Sequence, residues 1–305
     1  MFRFLAMRLI YGIVVVWAVA SLTFLLMHVV PGGPFDTEKK FPPEILANIR
    51  AKYHLDQPLW RQYVLYLKDL GRLRFGPSFK YRNRQVEDIL GQTFPVSIYL
   101  GFWALLMAVG LGLCAGVVSA LNHNRVFDRA SMLLATLGIS LPSFVLATLL
   151  IYLVAHRLKI LPPALLEDWR HYLLPAASLA AGPAAYLARL SRSSFLETLS
   201  RPFVDAARAR GIYGARLVLR HLLKNSLSPV VTVLGPLVAM LITGSFVIEK
   251  IFSIPGMGRY FITAVTNRDY PLIMAVTIVY AALIVVMNLL VDIAYAFLDP
   301  RVRLK

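Results

Sequence analysis

The chain has 305 residues, of which 58% are hydrophobic and only 16% are charged, and its apolar residues come in long blocks. Such blocks are typical of polytopic membrane proteins and argue against a soluble fold. The formal net charge of +16 does not indicate nucleic-acid binding, because the Lys and Arg residues cluster beside the apolar blocks, where membrane topology and anionic lipid headgroups explain them. With Cys114 as the single cysteine, no disulfide can form within the chain.

Six apolar segments predict an all-α membrane protein with six transmembrane helices, since each segment can cross a bilayer. These segments are Leu9–Val30, Val96–Leu121, Ser131–Ala155, Leu173–Ala188, Ser226–Ile248 and Pro271–Val291. Their short flanks are rich in Arg and Lys at both ends of the chain, so the positive-inside rule places both termini in the cytoplasm. The predicted regions are 1–30 (N-terminus and first helix), 31–95 (a folded extracytoplasmic insert), 96–298 (a five-helix core with the cytoplasmic loop 191–229) and 299–305 (a cytoplasmic tail).

The insert carries two segments with helical signals. Pro42-Pro43-Glu44 can open a helix that runs to about Tyr53. A second helix is predicted from Pro58 to Leu70. Its apolar face would contain Leu59, Tyr63, Tyr66, Leu67 and Leu70. The insert either caps the outer surface or acts as a dock or gate for a delivered substrate, and the residues leave both open.

Another outer segment, Phe252–Tyr270, predicts a short interfacial helix near a pore mouth, with Pro and Gly as entry signals. Tyr260, Phe261 and Val265 would form its apolar face. Further along the chain, Asp292 lies at the end of the sixth segment, where pairing with Arg301 is favoured over a proton relay.

Two predicted spans have small residues at every fourth position, which would let the helix backbones approach closely. These positions are Ala108, Gly112, Gly116 and Ala120 in the second span and Ala176, Ala180, Ala184 and Ala188 in the fourth. Proline interrupts several spans. Gly182-Pro183 is expected to kink the fourth span, and Pro142 and Pro236 to weaken the third and the fifth.

The basic loop from Phe203 to Pro229 predicts two short helices. Asp205, Ala206 and Ala207 suit a first helical turn, with Asp205 as a possible N-cap, and Gly211 then ends that helix. A second helix would place Arg216, Arg220 and Lys224 in one stripe, four residues apart. The alternative is an ordinary cytoplasmic loop made basic by the positive-inside rule.

Motifs for catalysis are absent from the sequence. No Lys is followed by Ser or Thr, so the chain has no Walker A loop for nucleotide phosphates. The six His residues include no pair at metal-binding spacing, and no G-x-S-x-G occurs. We therefore expect neither an enzyme nor a metal site, and energy for any transport must come from another subunit.

The sequence D-A-A-R-A-R-G at Asp205–Gly211 resembles the E-A-A-x-x-x-G signature of the permease subunits of bacterial ABC importers, with Asp in place of Glu. In that family the short helix is the coupling helix, which docks on a separate ATPase subunit. The resemblance implies that Asp205, Ala206, Ala207 and Gly211 form the ATPase-coupling site. The family's usual I-x-L-P ending is not present at its standard spacing, and His221 stands where Ile is expected.

Further motifs along the whole chain resemble the peptide and nickel branch of these importers. They are M-H-V-V-P-G-G-P (27–34), F-G-P-S (75–78), F-P-V-S (94–97), S-L-P-S-F-V (140–145), L-R-H-L-L (219–223), V-I-E-K-I-F-S-I-P-G-M-G (247–258), N-R-D-Y-P (267–271) and L-D-P-R-V-R (298–303). Segments 42–58 and 75–81 are most similar to the first permease subunit of oligopeptide importers. This likeness implies the type I ABC importer permease fold in the bacterial inner membrane.

The resemblance also implies partners. These are a homologous second permease, two ATPases that bind ATP and magnesium, and an external peptide-binding protein; the chain itself would bind no cofactor. Ser140, Ser143, Thr232 and Thr243 are candidates to line the substrate pathway, although each could instead be a hydroxyl bonded to its own helix. A dipeptide or nickel importer is the alternative within the class. A proton-driven transporter would need buried acids, for which Asp292 is the single hint.

Overall fold

The computed structural model describes residues 2–31, 33–35, 51, 53, 55–242 and 244–298, and their secondary structure is almost entirely helical. The helices are α1 (Phe2–Val29), α2 (Leu59–Leu70), α3 (Val86–Leu121), α4 (Val126–Ser140), α5 (Ser143–Leu150), α6 (Leu173–Leu199), α7 (Pro202–Ala209), α8 (Gly214–Leu217), α9 (Leu223–Ser226), α10 (Ser228–Ile242), α11 (Phe246–Ile251), α12 (Met257–Asn267) and α13 (Tyr270–Leu298). Stretches of π-helix, Ile151–Arg157 and Val218–Leu222, follow α5 and α8 directly. The predicted all-α class is confirmed.

Four helical stretches of the described residues are long and apolar enough to cross a membrane. They are Ala6–Val29, Val86–Leu121, Ser228–Ile251 and Tyr270–Leu290. The bent pair Val126–Ser140 and Ser143–Arg157 makes a fifth if it is counted as one span. The fourth predicted span lies in α6, which is long enough but is not among them, because Pro175, Pro183 and Arg189 lower the mean hydropathy of this stretch. Six transmembrane helices therefore stay a prediction.

The third predicted span is not one straight helix, because it bends by 108° where α4 meets α5. Proline disfavours helical geometry at the residue before it, and Leu141 is accordingly extended, with φ −85° and ψ 122°. Pro142 then starts α5 by accepting hydrogen bonds from the backbone N–H groups of Val145 and Leu146. Pro183 and Pro236 instead lie inside α6 and α10, which continue through them.

The chain divides into two compact units, and the first comprises described residues up to Val96 together with 256–286. Its core joins the start of α3 to α12 and α13. The buried members are Val86, Ile89, Leu90, Met257, Ala264, Leu272, Ile273, Ala275 and Val276. Helix α2 confirms the predicted helix after Pro58, and Tyr66 stacks on Phe24 of α1. Leu59 is exposed, contrary to its predicted place on the apolar face, and the predicted helix from Pro42 lies largely outside the described residues.

Helix α12 confirms the short helix predicted within Phe252–Tyr270. The prediction that Val265 lies on its apolar face was wrong. Tyr260 and Phe261 are half-buried against the core of the first unit. Val265 is 49% exposed, and the buried position is taken by the preceding Ala264. Arg268 follows the last residue of α12 as its C-cap and adopts the left-handed conformation at φ 55°.

The second unit comprises residues 97–255 and the described residues from 287, and the two predicted small-residue faces pack together within it. A Cβ added to Gly112 would lie 2.7 Å from Leu187 Cβ and 2.8 Å from the carbonyl oxygen of Ala184. One added to Gly116 would lie 2.6 Å from the carbonyl oxygen of Ala188. Helices α3 and α6 therefore touch backbone to backbone, which only small residues permit.

Asp292 lies inside α13, since this helix continues to Leu298. The residue is half-buried, and one of its carboxylate oxygens is fully buried. Its predicted partner, Arg301, lies outside the described residues.

Candidate coupling surface and membrane cavity

The predicted coupling helix is α7, and its start follows local rules. Arg201 is the extended N-cap and Pro202 occupies the first helical position, where its missing N–H costs nothing. The interpretation of Asp205 as the N-cap is therefore wrong, because this residue lies within the first turn. Its carboxylate is 78% exposed and lies 3.6 Å from Arg208 Nη1. An exposed pair of this kind adds little stability, which leaves the Asp205 carboxylate available at the surface.

The end of α7 is a Schellman motif built on Gly211. This glycine has φ +78°, a left-handed conformation that residues with a side chain, other than Asn and Asp, rarely adopt. Its N–H donates to the carbonyl oxygen of Arg208 over 2.9 Å, and the N–H of Ile212 donates to that of Ala207 over 3.1 Å. These two bonds satisfy carbonyl groups at the helix end and fix the direction in which the chain leaves it.

The four predicted coupling residues are close together, but they do not share one face. Asp205, Ala206 and Gly211 are exposed, whereas Ala207 is buried. Ala207 belongs to a cluster of apolar residues of this chain: Ala120, Phe195, Val204, Ala207, Leu217 and Leu222, here called the coupling core. Bulk at Ala207 would thus collide with the protein's own core before it reached a partner.

Two large apolar side chains on this surface were not predicted. Tyr213 is 64% exposed and Leu219 is 67% exposed, both in the segment that follows Gly211. The π-helical turn Val218–Leu222 carries Leu219 and interrupts the regular spacing on which the predicted basic stripe depended. Arg216, Arg220 and Lys224 are all exposed, but they do not follow one regular α-helical line.

A cavity of about 530 Å³ lies in the second unit where three predicted spans are interrupted or contain proline. Its walls come from the break between α4 and α5, from Gly182 and Pro183 of α6, and from residues 244–247 before and in α11. Irregular backbone at membrane depth is tolerated where it lines such a cavity, and it often marks a transport site. Ser143, Ser178 and Ser245 belong to the lining, and of these Ser178 is buried and donates its hydroxyl to the carbonyl oxygen of Leu174 over 2.8 Å.

The candidate pathway residues differ in whether they line this cavity. Ser143 lines the cavity. Ser140 donates to the carbonyl oxygen of Thr136 over 2.8 Å, and Thr232 donates to that of Ser228 over 3.0 Å, as their alternative interpretation anticipated. Neither lines this cavity, and Thr243 lies outside the described residues. Ser178 and Ser245 were missed, although the neighbouring Gly182-Pro183 and Gly244 were signals of an irregular backbone.

A buried acid stands next to this cavity wall. Glu249 of α11 is fully buried, and the hydroxyl of Ser97 donates to its Oε1 over 2.8 Å. A Cβ added to Gly244, at φ +75°, would lie 2.5 Å from the same oxygen. Only glycine therefore fits where the chain passes the Glu249 carboxylate. In the described part of the chain, no cluster of His, Cys, Asp and Glu has the arrangement of a metal site.

Two known protein families together match nearly the whole chain. Residues 112–304 match the family described as "Binding-protein-dependent transport system inner membrane component", and residues 1–101 match the corresponding N-terminal family. The chain belongs to this family of inner membrane transport components. Together with the apolar helices, this membership makes the chain a multi-pass inner membrane protein.

Named relatives cover the chain end to end. It is 49% identical over 286 residues to the dipeptide transport system permease protein DppB of Bacillus subtilis, which covers 94% of this chain and 93% of that protein. It is 42% identical to the oligopeptide transport system permease protein OppB of Haemophilus influenzae and 41% identical to that of Escherichia coli, each covering 99% of this chain and 100% of the relative.

Solved structures share the fold. A chain of the inward-facing MetNI methionine ABC transporter has a TM-score of 0.59 at 16% identity and covers 69% of this chain and 96% of that chain. A chain of an amino acid ABC transporter has a TM-score of 0.55 at 16% identity and covers 69% and 94%. The fold is accordingly that of an ABC importer permease.

Proposed function

We propose that this chain forms half of the membrane pathway of an ATP-driven oligopeptide importer. A homologous second permease completes the pathway, two ATPases dock at the cytoplasmic face, and an external binding protein delivers peptide. Both termini lie in the cytoplasm. The observation that carries the proposal is α7, a short helix that is anchored on the coupling core, ends in a Schellman motif, and leaves Asp205 and Ala206 exposed.

The energy source lies outside the chain. Because no Lys is followed by Ser or Thr, the chain has no Walker A loop, and ATP with magnesium belongs on the partner ATPases. The exposed side of α7, together with Tyr213 and Leu219, is the surface on which those ATPases dock. Apolar side chains exposed beside charged ones are a common feature of protein interfaces.

The relatives' names support peptides as the substrate class. Two relatives that cover 99% of the chain are named for oligopeptides. A dipeptide importer is the second candidate, since the relative at 49% identity is named for dipeptides. The cavity beside Ser143 offers serine hydroxyls and apolar walls, a combination that suits peptide backbone and varied side chains.

Uptake into membrane vesicles that contain the complete complex tests the proposal. We expect ATP-dependent accumulation of a labelled pentapeptide when binding protein is present, and no effect of a proton uncoupler at fixed ATP. Competition between the pentapeptide and a dipeptide distinguishes the two peptide classes. Uptake that collapses with the uncoupler while ATP is held constant would contradict the ATP-driven mechanism.

A further inference from the structure

Asp128 is a buried acid that joins three parts of the second unit. The residue is 3% exposed and lies in the first turn of α4, just after the turn that follows α3. Arg192 of α6 donates to it twice, from Nε over 2.7 Å to Oδ1 and from Nη2 over 2.8 Å to Oδ2. The backbone N–H of Asn124 donates to Oδ2 over 2.8 Å, and the hydroxyl of Ser119 in α3 donates to Oδ1.

The Asp128 carboxylate is held by several donors in defined positions. A buried carboxylate is strongly destabilising unless it is paired and hydrogen-bonded, and here donors from α3, the following turn and α6 all converge on it. The bidentate contact from Arg192 also fixes the relative orientation of α4 and α6, which a single point charge would not do. Three helices are consequently held at one point.

Two of these helices, α3 and α6, also contribute to the coupling core. Ala120, next to Ser119, and Phe195, one turn after Arg192, both belong to it, together with Val204 and Ala207 of α7. The Asp128 contacts at Ser119 and Arg192 therefore lie next to the coupling core along both α3 and α6. From there α4 leads to the 108° bend at Leu141–Pro142, and the bend lines the cavity.

We infer that Asp128 and Arg192 are positioning residues for energy coupling. By holding α3, α4 and α6 together next to the coupling core, they make a displacement of α7 move these helices as one body. The displacement then reaches the bend beside the cavity and is not absorbed in the turn Asn122–Arg125. This inference rests on the proposed function, because it assumes that ATPases act on α7.

The test uses the complete complex, co-purified with its partner subunits and placed in vesicles, with peptide import and ATP hydrolysis measured together. In Asp128→Asn the charge is lost at nearly constant shape. We expect import per ATP hydrolysed to fall by about tenfold, within the range typical of coupling between distant sites. The matched control is Asp168→Asn, which removes an exposed carboxylate paired with His171 at 2.8 Å in the same unit. This control should leave the ratio of import to ATP hydrolysis unchanged.

A second variant covers the case in which Asp128→Asn does not assemble. Arg192→Lys keeps the positive charge beside Asp128 but loses the planar fork, so it should assemble and still lower the import per ATP hydrolysed. An assembled complex with normal import per ATP in Arg192→Lys overturns the inference. Failure of the proposed function is distinct, because the unaltered complex would then show no ATP-dependent peptide import at all. A purely structural role would lower the yield of complex and leave the ratio of the assembled fraction unchanged.

Discussion

The backbone N–H of Ile212 donates to the carbonyl oxygen of Ala207 over 3.1 Å, and this bond turns the chain back at the end of α7. Gly211 lies inside the turn at φ +78°, and a Cβ there would meet no atom within 4 Å. Within this chain, a substitution of Gly211 therefore tests the backbone conformation and not the packing around the new Cβ atom.

The first prediction uses this property. Gly211→Ile should destabilise the turn by roughly 1–2 kcal/mol, because a β-branched residue resists the left-handed conformation. Gly211→Asn should cost less, since Asn tolerates that conformation. We expect reduced co-purification of the ATPases with the Ile variant and near-normal co-purification with the Asn variant. Equal binding and equal import in both would reject the capped turn as part of the coupling element.

The second prediction separates the two alanines of α7. Ala206 is exposed and Ala207 is buried in the coupling core. Ala206→Trp should leave the thermal stability of the permease unchanged while it weakens ATPase association. Ala207→Trp should destabilise the permease itself by about 1–3 kcal/mol through overpacking. Thermal unfolding in detergent and ATPase co-purification are the two measurements. Normal ATPase binding by Ala206→Trp would contradict the proposal that the Ala206 face of α7 docks on the ATPases.

Much of this region follows from local sequence, and the remainder depends on distant residues. The helix at Pro202–Ala209 and the stop at Gly211 could be predicted because propensity and the glycine at the helix end are local signals. The burial of Ala207 could not, since it depends on Phe195 and Leu222 from other helices. Likewise Pro142 predicts a weakened helix, but only the surrounding packing sets its bend at 108°.

The third prediction concerns the contact between α3 and α6. Gly112→Val should destabilise the permease by about 1–3 kcal/mol, because the new Cβ would lie 2.7 Å from Leu187 Cβ. Gly110 is the matched control in the same helix, since a Cβ there meets no atom within 4 Å. Thermal unfolding of both Val variants compares them at equal helix propensity. Equal stability would contradict the close approach.

The fourth prediction concerns the cavity. In a Cys114→Ser background, Ser143→Cys should be labelled by a thiol reagent, and transported peptide should slow the labelling severalfold. Thr148→Cys is the control on the same helix, because Thr148 is exposed but does not line the cavity. Its labelling rate should not change with peptide. Protection at Thr148 but not at Ser143 would place the pathway elsewhere.

The fifth prediction concerns the turn at residues 77–81, in the predicted insert. Asp269 is fully buried and accepts from the backbone N–H of Phe79 over 3.0 Å and from the hydroxyl of Ser78. Asp269→Ala leaves these donors unpaired and should cost about 1–3 kcal/mol locally. We expect faster trypsin cleavage at Lys80 or Arg82. Import that falls only with limiting binding protein would favour a docking role for the insert, and normal import would favour a cap.

The contact between α3 and α6 also restricts how this permease can move. At Gly112 and Gly116 the α3 backbone lies so close to the α6 backbone, to Leu187 Cβ and to Ser191 Oγ that α3 has no room for a side chain there. Rolling either helix about its own axis would bring larger neighbouring side chains into that space, so the helices would have to separate first. Tilting or sliding as a pair needs no such separation. The movements open to this subunit are thus those in which α3 and α6 travel together.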